Sequence, residues 1–72
     1  MNTMTIKVGK VPGTIQEVVV EQGTSVLDIL NIAGITDTEG YEVRVAGDTA
    51  TLETVLEHDT SVLLMKQIKG NF

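Results

Sequence analysis

Thr24-Ser25-Val26-Leu27-Asp28-Ile29-Leu30-Asn31-Ile32-Ala33-Gly34-Ile35 is the one stretch of the chain that reads as helix. Ser25 is suited to the N-cap, and Asp28, three residues on, supplies an acid in the first turn, where it also suits the helix dipole. Val26, Leu27, Leu30 and Ala33 fall on one stripe, with Ile29 at its border. Gly34 is the stop, because glycine takes the left-handed conformation after a helix without a Cβ clash. A helix of about nine residues is marginal alone in water. Something apolar must therefore lie across it, and the flanking sequence supplies strands.

On the N-terminal side, Met4-Thr5-Ile6-Lys7-Val8 alternates, with Met4, Ile6 and Val8 on one face. Gly9 to Gly13 reads as a turn, and Thr14 to Glu21, rich in β-branched residues, completes an antiparallel hairpin. Val18 and Val20 share a face while Ile15 has the other parity, which calls for a bulge or a shifted register near Gln16. On the C-terminal side, Thr36 to Gly40 is a polar loop, and Tyr41-Glu42-Val43-Arg44-Val45 alternates with Tyr41, Val43 and Val45 inward. Ala46-Gly47-Asp48 is a turn before a short strand from Thr49 to Leu52. Leu52, Val55 and Leu56 recur at helical spacing, suggesting a single turn of helix or 3₁₀. Glu57-His58-Asp59 is a surface turn. Thr60 to Ile68 is the last strand, and its unbroken Val62-Leu63-Leu64-Met65 run suggests a central position beside the first strand. The expected core is Ile6, Val8, Ile15, Val18, Val20, Val26, Leu27, Leu30, Val43, Val45, Leu52, Val55, Leu56, Val62 and Leu64.

The expected class is α+β: a mixed sheet of four to five strands with one helix across one face. The 72 residues form one domain with one core, ending in a flexible tail over residues 69–72. Without cysteine there is no disulfide, thiolate metal site or cysteine nucleophile, which suits a cytoplasmic location. No apolar run reaches the roughly 18 residues of a membrane span, and the N-terminus lacks a signal-like core. Ten acids against five bases give a net charge of −5, which repels nucleic acid, and one tyrosine and one phenylalanine offer no stacking platform for bases. Neither nucleic acid nor membrane is an expected partner.

The arrangement resembles the β-grasp fold of ubiquitin and of the small sulfur carriers of thiamine and molybdopterin biosynthesis. Gln22 to Leu30 is similar to the carriers' approach to the helix, and Val43-Arg44-Val45-Ala46-Gly47-Asp48 to their third strand and turn. Val55 to Val62 resembles the segment where these families carry a leucine, a Gly-Asp turn and the last strand, with His58 in place of the usual glycine. The resemblance implies a C-terminal Gly-Gly tail activated on its carboxylate by an E1-like enzyme. Here the chain ends Lys69-Gly70-Asn71-Phe72, so only Gly70 matches, and Phe72 is a poor fit to a narrow activating channel.

Candidate chemistry elsewhere is sparse. A single histidine, His58, stands beside Asp59 without a second histidine or cysteine, and Glu53, Glu57 and Asp59 lack a cleft to tune them. No phosphate-binding glycine loop, metal spacing or nucleophile triad is present, so the expectation is a non-enzyme without metal or cofactor. Leu63 and Met65 carry more. If Val62 and Leu64 face the helix, alternation sends Leu63 and Met65 to the opposite face, with Val19 nearby and Lys7 and Arg44 flanking. No second helix exists to cover such a patch, which makes it a docking surface for a partner protein. The alternative is a sulfur carrier or modifier, activated at Gly70 after trimming. Incubated with ATP and candidate activating enzymes, the chain is expected to show no mass adduct; an adenylate or thiocarboxylate on an intact or trimmed tail would establish the carrier instead.

Overall fold

The computed structural model describes residues 2–66. The chain runs through strand β1 (Thr3–Val11), β2 (Ile15–Glu21), a two-residue strand β3 (Thr24–Ser25), helix α1 (Val26–Ile32), β4 (Tyr41–Val45), β5 (Asp48–Ala50), β6 (Val55–Leu56) and β7 (Thr60–Lys66). Five of these strands form one mixed sheet in the order β2-β1-β7-β4-β5, while β3 and β6 make a separate two-stranded ribbon. β1 pairs antiparallel with β2 and parallel with β7, and β7 pairs antiparallel with β4. The fold is therefore α+β, with one helix packed on a mixed five-stranded sheet. As the apolar run of β7 implied, that strand is central and lies beside β1.

Alternation builds the core. Met4, Ile6 and Val8 of β1, Val20 of β2, Val43 of β4, and Val62 and Leu64 of β7 are buried against Val26, Ile29 and Leu30 of α1, with Leu56 closing one end. The helical stripe is thus Val26, Ile29, Leu30 and Ala33, at spacings of three and four residues. Leu27, expected inside, is 46% exposed, whereas Ile29 is fully buried. The rotation is set from outside the helix: the Val26 and Leu27 N–H groups donate to the Thr54 and Leu52 carbonyls at 2.8 and 3.0 Å. These bonds satisfy two amides that a helix start leaves unpaired.

Both ends of α1 are capped as their residues require. Ser25 has extended backbone, and its Oγ accepts from the Asp28 N–H at 3.3 Å. At the other end Gly34 has φ +80° and donates to the Asn31 carbonyl at 3.1 Å, while the Ile35 N–H reaches back to the Leu30 carbonyl at 2.8 Å. This paired arrangement completes the helix and brings Ile35 onto the core. Gln16 of β2 ties the same end to the sheet, its Nε2 donating to the Ala33 carbonyl at 2.9 Å.

Three other expectations are corrected. β1 runs on through Gly9 and Lys10 to Val11, so the turn shrinks to Pro12-Gly13-Thr14. The β1–β2 register is unbroken from Thr3↔Glu21 to Gly9↔Ile15; there is no bulge, and Ile15 stays on its own parity, away from the helix and 48% exposed. Val55 and Leu56 form β6, paired with β3, rather than a helical turn; Leu56 points into the core and Val55 out of it, 53% exposed. The last strand reaches Lys66, and the rest of the expected run lies outside the described residues.

Leu30, at the centre of the helix and fully buried, is the side chain whose loss should cost most. Leu30→Ala is expected to destabilise the fold by about 2–5 kcal/mol, and Leu27→Ala by less than about 1 kcal/mol, in urea denaturation. Equal losses would show that the helix sits in another rotation.

Candidate functional site

The face of the sheet opposite α1 is built by the residues of the other parity, and the strand register orders them into rows. One row crosses all five strands: Ile15, Gly9, Leu63, Arg44 and Thr49. Toward the C-terminal ends of β1 and β7 the next row holds Val11, Met65 and Glu42. In the other direction come Glu17, Lys7 and Ser61, and then Val19 opposite Thr5. The helix and the loops carrying Ile35 and Leu52 all join the core on the far side.

Leu63 and Met65 are therefore neighbours on this face, Leu63 half-buried and Met65 37% exposed. Arg44 stands beside Leu63, and Lys7 one row away next to Ser61. Val19 is on the same face but apart. Four residues along β2 separate it from Ile15, about 13 Å of strand, and the Lys7–Glu17 row lies between. At 67% exposed it is the most open of the large apolar side chains among the described residues. The structure thus brings Leu63, Met65 and Arg44 together, sets Lys7 at their border and leaves Val19 outside.

Ile15 and Val11 are the apolar residues of this face that sequence reasoning missed. The missing signal was Gly9. A Cβ built there would lie 2.5 Å from the Thr14 carbonyl oxygen, 2.9 Å from the Ile15 Cα and 3.1 Å from the Ile15 Cγ1. Only glycine lets the start of β2 approach β1 so closely, and the Ile15 side chain covers the bare backbone between itself and Leu63. The result is an apolar strip from the β2 edge through the middle of the sheet.

On this face Arg44 is paired with Glu42. Arg44 Nη2 and Nε lie 2.8 and 2.9 Å from Glu42 Oε2, and Nη1 donates to the Gly47 carbonyl at 3.3 Å. Lys7 stands opposite Glu17 across the β1–β2 pair. Lys10, on the helix side at the end of β1, places Nζ 4.7 Å from the centre of the Tyr41 ring. Arg44 is held by its neighbours and so presents a fixed, nearly neutral border to the strip rather than a free cation.

Asp59 has a defined task that the sequence did not reveal. Its Oδ1 accepts from the Thr5 N–H at 2.9 Å, a donor that points toward β7 just before the register with β7 begins at Ile6↔Thr60. The carboxylate supplies the acceptor that the strand does not yet provide. His58 and Glu57 are exposed beside it, and among the described residues no three His, Asp or Glu side chains converge as a metal site. Gly70, the carrier terminus of the alternative reading, lies outside the described residues. Among the described residues no helix is long and apolar enough to cross a membrane.

Because an added methyl at Gly9 would meet main-chain atoms that cannot turn aside, Gly9→Ala is expected to cost about 1–3 kcal/mol in urea denaturation. It should also move the amide resonances of Ile15 and Leu63; an unchanged stability would mean that β2 can draw back from β1 freely. Compared with models of known protein families and with curated proteins, the chain matches none.

Proposed function

We propose that the chain is a ubiquitin-like β-grasp domain that acts without catalysis, by binding a partner protein through the open face of its sheet. The observation that carries this reading is the strip of Ile15, Leu63, Met65 and Val11, spread across adjacent strands with no element of the described chain over it. A contiguous apolar patch with a polar border, on a rigid sheet, suits association with another surface. The element order also supports the fold assignment: a hairpin, a helix crossing one face, and a last strand returning beside the first. Under this reading Leu63 and Met65 fill the centre of the contact, Arg44 and Lys7 border it, and Val19 contributes nothing to it. The Gly70 carrier reading draws on the tail sequence alone.

The test separates folding from binding. Leu63→Asp and Val55→Asp each put a charge at an apolar position outside the core, Leu63 on the open face and Val55 on the helix side of the molecule. Leu63→Asp is expected to keep a melting transition within a few degrees of the wild type. It should lose any protein that wild type and Val55→Asp both retain from native extract, with mass spectrometry identifying the retained protein. Retention by all three would place the contact elsewhere, and unfolding of Leu63→Asp would show that Leu63 belongs to the core.

A further inference from the structure

β2 is an edge strand, and its hydrogen-bond phase can be read from a single bond. The Gln22 N–H donates to the Asn2 carbonyl at 3.0 Å, which makes Asn2 and Gln22 a bonded pair of the antiparallel ladder. Bonded pairs then recur every second residue, so Gln16, Val18 and Val20 turn their main-chain groups toward β1. Ile15, Glu17, Val19 and Glu21 turn theirs away from the sheet. The Glu21 carbonyl is taken by Thr24 Oγ1 at 2.6 Å. The N–H and C=O groups of Ile15, Glu17 and Val19 are left along an outer edge that no other strand of the described residues pairs with. Such a row is a template for one more strand.

The surroundings of this edge define what that strand would be. Between β2 and α1 runs a shallow groove lined by Val19, Val20, Thr24, Asp28 and Ile32, with Ile32 58% exposed. Glu17, Glu21 and Asp28 are the only charged residues on β2 and α1, all of them acidic. A second copy pairing β2 against β2 would bring these acids onto one seam between two molecules that each carry −5. We propose that the outer edge of β2 binds, by strand addition, an extended basic segment of a partner protein. Of lysines or arginines set at every second position, those four residues apart meet Glu17 and Glu21 on the open side, and valine- or isoleucine-like residues between them face Val18, Val20 and Ile32. This edge is separate from the Leu63 strip and does not depend on it.

The probe is an eight-residue capped peptide alternating lysine and valine, titrated into the isotopically labelled full chain while amide resonances are followed. The Ile15, Glu17 and Val19 amides should shift, and affinity should fall severalfold as salt rises from low to physiological strength. Val19→Pro removes an N–H that points away from β1, so the ladder to β1 is kept; it should weaken binding about tenfold or more. Glu17→Lys with Glu21→Lys, which needs no backbone change, should transfer preference to a glutamate–valine peptide. Leu63→Asp should leave the titration unchanged, which keeps this result independent of the face. Shifts confined to Leu63, Met65 and Arg44, or equal binding of both peptides by the wild type, would overturn the proposal. So would β2 amides that move with protein concentration alone, since that would make the occupant a second copy.

Discussion

β1 is paired on both sides, antiparallel with β2 and parallel with β7, and a strand held that way has no freedom to slip. A shift of one residue would turn Met4, Ile6 and Val8 to water and Thr5 and Lys7 under the helix. The burial of those three side chains therefore fixes the parity of β1, and the ladders carry that choice to every other strand of the sheet. Val62 and Leu64 inherit the helix side through β7, and Val43 inherits it through β4. Helix α1, only seven residues long, depends on this surface. The open face follows from the same choice: Leu63 and Met65 stand outside because Val62 and Leu64 stand inside, and Ile15 joins them through its register with Gly9.

Much of this was legible in the amino-acid order. Alternation in residues 4–8 and 41–45, the Ser25 and Gly34 helix signals and the apolar last strand together led to the α+β layout with a central β7. What misled were places where two local patterns had equal merit. Leu27 and Ile29 are both large and apolar, and only the bonds from the helix start to Leu52 and Thr54 select the rotation that buries Ile29. Leu52, Val55 and Leu56 carry a helical spacing, yet the partner strand at Thr24–Ser25 makes Val55 and Leu56 extended. A two-residue pairing between segments about thirty positions apart leaves no local trace.

The site was legible in the same uneven way. Leu63 and Met65 follow from parity alone, once Val62 and Leu64 are assigned to the helix side. Arg44 lies beside them through the β4–β7 register, but its capture by Glu42 and the Gly47 carbonyl depends on side-chain geometry that sequence does not encode simply. Alternation puts Val19 on the face of Leu63, since Val18 and Val20 share the other one. Position along the strand, not only parity, decides contact, and the hairpin register places Val19 opposite Thr5. Gly9, read as the start of a turn, proved to be a strand residue whose missing Cβ admits Ile15.

The open face and the outer edge meet at β2 but use different groups of it. Ile15, Glu17 and Val19 direct their side chains to the open face and their main-chain groups to the edge, because both directions follow from one phase of the ladder. A strand added there would continue the row that runs from Thr49 through Arg44, Leu63 and Gly9 to Ile15, and would widen the open face by one side chain per row. Its partners on the helix side would come under Ile32, which now stands in solvent. The acids on β2 and α1 discourage a second copy of the same strand while leaving the donors and acceptors accessible to a basic one. Charge rather than shape therefore selects what pairs at this edge, and the apolar strip beside it makes no such selection.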